Sequence, residues 1–147
     1  MWRVCFCIIN GELWTINKTT NKMIDSYHRR LLRNAINIKW PNKISSEELY
    51  KKTEQKKWSE TLKLRRLRWF GHALRLPEKP PAKMALEEAQ RTLKKIKGGQ
   101  RTTWLKTITK DLADAGYTLQ QAKEKASERT EWREVVRSAD ASCVIHT

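Results

Sequence analysis

Three sets of residues in this chain have types and spacings that could support chemistry. The first is its aspartates, because paired carboxylates holding two metal ions catalyse phosphoryl transfer. They are Asp25, Asp111, Asp114 and Asp140, and no two are adjacent. Asp111 and Asp114 stand one helical turn apart among lysines, so all four read as surface and helix-end charges. No catalytic residue is expected. The second set is Cys5-x-Cys7 and Cys143-x-x-His146, four soft ligands in total. Zinc would require the two ends of the chain to meet, and neither half carries the Gly turn of a knuckle. Cysteine as a small apolar residue is the better reading, with no metal and no cofactor. His28 and His72 lack a local acid or nucleophile partner, and no Gly-rich phosphate loop is present.

The third set is basic. Arg65, Arg68, His72 and Arg75 recur at three- and four-residue steps, and Arg29 and Arg33 stand four apart. A guanidinium matches a phosphate bidentately and holds a nucleic-acid backbone without reading bases. Composition points the same way: 31 Lys+Arg against 16 Asp+Glu give a net charge of +15. The excess is concentrated in residues 1–75, at 17 basic against 6 acidic. Release of counterions from phosphates makes a polyanion the favoured partner of such a surface. The competing reading is a merely solvated face.

Helices must position these cations. At 147 residues, 39% of them apolar, with seven Trp, the chain can bury one modest core. Val4–Ile9 is a short apolar run that could be a strand or the start of a buried segment, and it is too short to cross a membrane. A helix is expected after Thr20 with Ile24, Tyr27, Leu31, Ala35 and Ile38 on one face, ending at Trp40-Pro41. Ser45 and Glu48 form a capping box that opens a short helix reaching about Thr53, with Ile44 and Leu49 as its staple. Lys56 to Leu76 is strongly helical, with Trp58, Leu62, Trp69 and Ala73 as its apolar stripe and the arginines opposite. Gly71 within it marks a close approach or a kink.

Pro77, Pro80 and Pro81 then make a connector. A helix over Lys83–Ile96 has Met84, Ala85, Ala89, Leu93 and Ile96 as apolar members, and Gly98-Gly99 is a joint. Thr102 or Thr103 caps the next helix, with Trp104, Leu105, Ile108, Leu112 and Ala115 on one face and Gly116 at its end. Thr118 and Gln121 open a last helix through Ser138, with Ala122, Ala126, Trp132 and Val136 as its stripe. Most tryptophans fall at core spacing, so packing is favoured over base stacking.

Leu67-Arg68-Trp69-Phe70-Gly71-His72-Ala73-Leu74-Arg75-Leu76-Pro77 resembles the RLRWLGHVLRMP-like stretch that lies beyond the polymerase core of LINE-type (non-LTR) retrotransposon reverse transcriptases. Asn10–Thr15 is similar to that family's YGSETWT-like segment, and Tyr27–Trp40 to its RCLRRILGIRW-like helix. Gln100-Arg101-Thr102-Thr103-Trp104 with Lys110-Asp111-Leu112 resembles a GRPRKRW…EDL-like element, with less positive charge here, and Arg129–Arg133 resembles its closing DRSKWR.

The resemblance covers only the region after the palm. It implies a thumb-like basic segment over 1–76, a connector over 77–82, a C-terminal helical segment over 83–139 and a frayed tail over 140–147. It omits the adjacent Asp-Asp pair and the endonuclease domain, so no enzyme activity is expected. It also implies phosphate contacts from Arg29, Arg30, Arg33, Arg65, Arg66, Arg68, His72, Arg75 and Arg101.

The sequence therefore predicts an all-α fold of about six helices. The predicted partner is RNA or DNA, bound through its backbone, with no membrane and no small-molecule substrate. Location is expected to be intracellular, nuclear or cytoplasmic. Two other readings compete: a decayed reading frame with no function, and a small helical module that binds protein.

Overall fold

Helix starts follow the capping chemistry closely. The computed structural model describes residues 11–77, 81–91 and 102–144. After a 3-10 turn at Gly11–Leu13 come α1 (Lys18–Ala35), α2 (Ser46–Thr53), α3 (Trp58–Arg75), α4 (Pro81–Arg91), α5 (Trp104–Ala113), α6 (Leu119–Ser127) and α7 (Arg129–Val144). The fold is all-α, and no strand occurs among the described residues. No helix among them is long and apolar enough to cross a membrane. Val4–Ile9, Gly98-Gly99, Leu93, Ile96, Arg101 and His146 lie outside the described residues.

Both expected capping boxes are present, Ser45 with Glu48 at α2 and Thr118 with Gln121 at α6, and Thr103 caps α5. The start of α3 has no cap of its own. It is capped from α1, where the Asp25 carboxylate accepts from the Ser59 backbone N–H at 3.0 Å and its hydroxyl at 2.7 Å. A carboxylate there satisfies a free N–H and faces the positive end of the helix dipole.

Several boundaries depart from the sequence reading. α1 stops at Ala35, five residues before Trp40. Asn37 adopts the left-handed region at φ 54, and the Ile38 N–H returns to the Arg33 carbonyl at 2.9 Å. This is a Schellman closure, which Asn tolerates nearly as Gly does. Gly116, at φ +82, closes α5 as the sequence predicts.

The connector is shorter than expected because Pro81 is the first residue of α4, where proline's missing N–H costs nothing. The predicted last helix is two helices, so the described residues form seven rather than six. Glu128 is extended, and its carbonyl accepts from the Trp132 N–H at 3.0 Å, which starts α7. α6 and α7 then pack on each other and on α3. α7 continues to Val144, so 140–144 is helix rather than frayed tail.

α3 is the hub, touching the 3-10 turn and every other helix except α2 strongly enough to define the core. Leu67, Phe70 and Ala73 are fully buried against Leu105, Ile108 and Leu112 of α5, Ala122 and Ala126 of α6, and Trp132, Val135 and Ala139 of α7. The expected division at 77 is therefore not a packing boundary. α4 buries Leu86, whereas Met84 and Ala85 of its predicted stripe are exposed. Trp14 and Trp40 are exposed, at 47% and 86%, and so do not serve the core.

On α1 the buried residues are His28 and Leu32, while Tyr27 and Ala35 of the predicted stripe are exposed. Apolarity does not mark this face because a histidine lies at its centre. The His28 ring stacks on Trp58 (centroids 4.6 Å apart, planes 9° apart) and lies 5.7 Å from Tyr50. Its Nδ1 is buried without a hydrogen-bond partner.

Burial lowers the His28 pKa below 6.5, Asp25 opposing and Arg29 assisting. A depressed pKa means that the unfolded chain binds the proton more readily, so stability is full above about pH 6.5 and falls as pH drops below it. His28→Phe preserves ring packing and removes the proton site. Its unfolding free energy, followed by urea denaturation from pH 7.5 to 5, is expected to lose the decline that the parent shows. A parallel decline in both proteins would exclude His28 as its source.

Candidate nucleic-acid interface

The close approach of α7 to α3 builds the site. A Cβ at Gly71 would overlap the Trp132 indole, so only glycine admits the ring at this point. The Trp132 N–H donates to the Leu67 carbonyl at 3.1 Å, one turn before Gly71. The mid-helix glycine is thus a close-packing position, one of the two roles its sequence context allows.

Above this contact runs an open groove of about 680 Å³. α3 contributes Arg68, His72 and Arg75 to one wall, and α7 contributes Arg129, Arg133 and Arg137 to the other. Trp132 and Val136, both buried, form the floor. No acidic side chain is among the lining residues described. All three arginines of α7 are exposed, as are Arg68 and His72. Arg75 is half-buried, and its Nη1 donates to the Ala126 carbonyl at 2.9 Å, in the last turn of α6. That bond satisfies a helix-end carbonyl and fixes where the guanidinium points.

The predicted cations are thus divided among several places. Arg68, His72 and Arg75 come together in the groove. Arg65 is half-buried and does not line it. Arg29 lines a different cavity, near Glu47, Glu54, Glu60 and Asp140, where acids surround it. Arg30 is exposed and Arg33 half-buried, and neither lines the groove. Arg101 lies outside the described residues. Arg129, Arg133 and Arg137 are the cations that the sequence reading left out. Their signal was an arginine every fourth residue, beside the better-marked Trp132–Val136 stripe.

Arg66 is a correction. Its side chain is 2% exposed, and its Nε and Nη2 both reach one carboxylate oxygen of Asp111, at 2.9 and 2.8 Å. It cannot touch a phosphate, because it is buried and points into the α3–α5 seam, away from the groove-facing row. Asp111 is equally misread as a surface charge, being 7% exposed. Burial pushes its carboxyl above the ordinary range, and Arg66 pulls it back.

Among the described residues no group of three His, Cys, Asp or Glu side chains is placed to hold a metal ion. Cys5 and Cys7 lie outside the described residues. The chain matches no protein-family model, no curated protein and no solved structure.

Removing one partner of the buried pair should cost far more than removing both. Arg66→Met strands the Asp111 carboxylate and is expected to destabilise by about 3–5 kcal/mol at pH 7. A stranded acid with a raised folded pKa is least harmful when protonated, so the loss should shrink as pH falls toward 4. Adding Asp111→Leu should restore the parent's stability to within about 1 kcal/mol. Thermal or urea unfolding of the single and double variants tests this. A double variant as unstable as the single one would show that the pair itself, rather than the stranded charge, carries the effect.

Proposed function

We propose that this chain binds RNA or DNA through the phosphate backbone, without reading sequence, as a catalytically incomplete relative of the non-LTR reverse transcriptases. The arginine-lined groove between α3 and α7 carries the proposal. Five arginines and a histidine line one cleft with no acid among them. Random scattering of a net charge would intersperse acids, as in the cavity around Arg29. The segment with the strongest resemblance to that family, Leu67–Pro77, supplies one wall of the groove.

Binding should be electrostatic and salt-sensitive. Arg68→Gln with Arg133→Gln removes one exposed cation from each wall, and Gln keeps the helix because its propensity is close to that of Arg. If each contacts a phosphate, the slope of log K against log salt becomes shallower by about 0.7–0.9 per contact, so by roughly 1.4–1.8. Fluorescence anisotropy over a salt series measures it, and an unchanged slope in a folded variant would mean that these arginines are only solvated. The expected weakening is the same for every probe sequence.

Exposed Met23, Tyr27 and Trp40 favour a second reading, a helical module that binds protein. Such a protein would show no comparable salt-dependent binding to nucleic acid.

The proposal also has a negative side. The aspartates offer no adjacent pair for two-metal phosphoryl transfer. The purified chain, given a primed RNA template, deoxynucleotides and Mg²⁺ or Mn²⁺, is expected to extend no primer and cut no strand. Extension above a no-protein control would refute this part.

A further inference from the structure

We infer that the α3–α7 groove is a single-strand site, in which the two arginine rows flank about three successive phosphates of one chain and the bases face outward. The inference rests on the backbone-binding reading above and specifies its ligand.

Width is the first argument. Trp132 lies directly on the α3 backbone at Gly71, so the two helices are in direct packing contact, for which axes are ordinarily about 8–10 Å apart. A cleft above such a pair admits one backbone and is narrower than a duplex. Both of its walls are cationic, so a strand lying in it is contacted on both flanks.

Spacing is the second. Arg129, Arg133 and Arg137 follow one another every four residues, so they rise about 6 Å per step and span about 12 Å. That step suits successive phosphates along an extended strand, and the span accommodates about three of them. Arg75 adds a fixed point opposite, held by the Ala126 carbonyl.

The floor is the third. Single-strand binders that stack bases present open aromatic faces. Here Trp132 is 3% exposed, covered by the α3 backbone, and offers no face to a base. The polar, charged part of the strand must then point inward and the bases outward.

Arg129 is the fourth. A cation in the first turn of α7 opposes the helix dipole and costs stability locally. Residues that break a local rule in this way concentrate at functional positions. Along α7, Glu131 and Glu134 fall between the arginines without lining the groove, and Asp140, beyond Arg137, is engaged by Lys56.

The test uses the whole chain and labelled probes at one low salt concentration: oligothymidylates of two to twelve nucleotides, an abasic ten-mer and a blunt twenty-base-pair duplex. Affinity is expected to climb steeply to about four nucleotides and then only in proportion to the added registers. The abasic strand should bind within about threefold of the oligothymidylate of equal length, because the bases make no stacking contact. The duplex should bind at least about tenfold more weakly.

Replacing Arg129, Arg133 and Arg137 with Gln should weaken single-strand binding at least about tenfold with the helical circular dichroism retained. The same charge removed elsewhere, from exposed Lys22, Lys39 and Lys43, should weaken it less than about threefold.

Equal or tighter duplex binding would overturn the single-strand inference while leaving backbone binding standing. A tenfold loss on the abasic strand would overturn the outward-base arrangement. Equal losses in the two triple variants would show diffuse charge rather than a groove. Absence of binding to every probe at that salt concentration would overturn both this inference and the reading beneath it.

Discussion

The contact of Trp132 with Gly71 is the constraint on which the rest of the arrangement depends. An indole lies against a helix backbone only where no Cβ intervenes, and its N–H then reaches the Leu67 carbonyl. That carbonyl already belongs to the α3 ladder, so the indole N–H is satisfied without freeing any other group. Once this contact forms, α7 can lie only along α3. Val135, Val136 and Ala139 follow Trp132 into the core on the same face. Arg129, Arg133 and Arg137 are on the other side of that stripe, and the groove follows from where the stripe goes.

α3 uses arginine for two opposed purposes, and an offset of two residues, Arg66 to Arg68, separates them. Arg66 faces α5, loses its water and needs the Asp111 carboxylate to make burial tolerable. Even so, its Nη1 has no partner, which makes the seam a costly way to join two helices. Arg65 and Arg68 stand on either side of it along the chain, half-buried and exposed, with Arg68 on the groove wall. An arginine-rich helix is therefore not a uniform phosphate-binding surface. Its cations must be sorted by burial before any is given a role, because a ligand in solvent cannot reach a guanidinium buried against its carboxylate.

The legible parts of this fold are those fixed by short-range chemistry. Ser45 with Glu48, Thr118 with Gln121, Thr103 and Gly116 each mark a helix end through bonds spanning a few residues, and all are found in place. The stripe of α5 and the Ala122, Ala126, Trp132, Val136 set are also legible, because apolar residues predominate on those faces. What sequence hides is long-range. Asp25 caps a helix 34 residues away, Arg66 and Asp111 pair across 45, and Arg75 reaches a carbonyl across 51. On α1 the buried face is centred on His28 and Leu32, so a hydrophobic pattern finds only its half-buried flank, Ile24 and Leu31, and adds the exposed Tyr27 and Ala35. On the candidate site, one wall is readable from the Arg68–Arg75 spacing. The other becomes meaningful only when α7 is laid beside it.

That two-wall construction bears on what the net charge can explain. Cations distributed over a surface attract a polyanion over a Debye length, about 10 Å at 0.1 M salt, but do not choose where it rests. Two rows brought to face each other across a packed seam raise the local potential where their fields overlap. They also repel one another, which opposes the packing beneath them. Burial of Trp132 and its neighbours holds the rows in place against that repulsion, and a phosphate chain in the groove would relieve it. Ligand and fold would then stabilise each other, since anything that binds only the folded state shifts the folding equilibrium toward it. The break at Glu128 serves the same arrangement. A single unbroken helix could not lay Ala122 and Ala126 on α3 and still turn Trp132 onto Gly71, so without the break the second wall would not face the first.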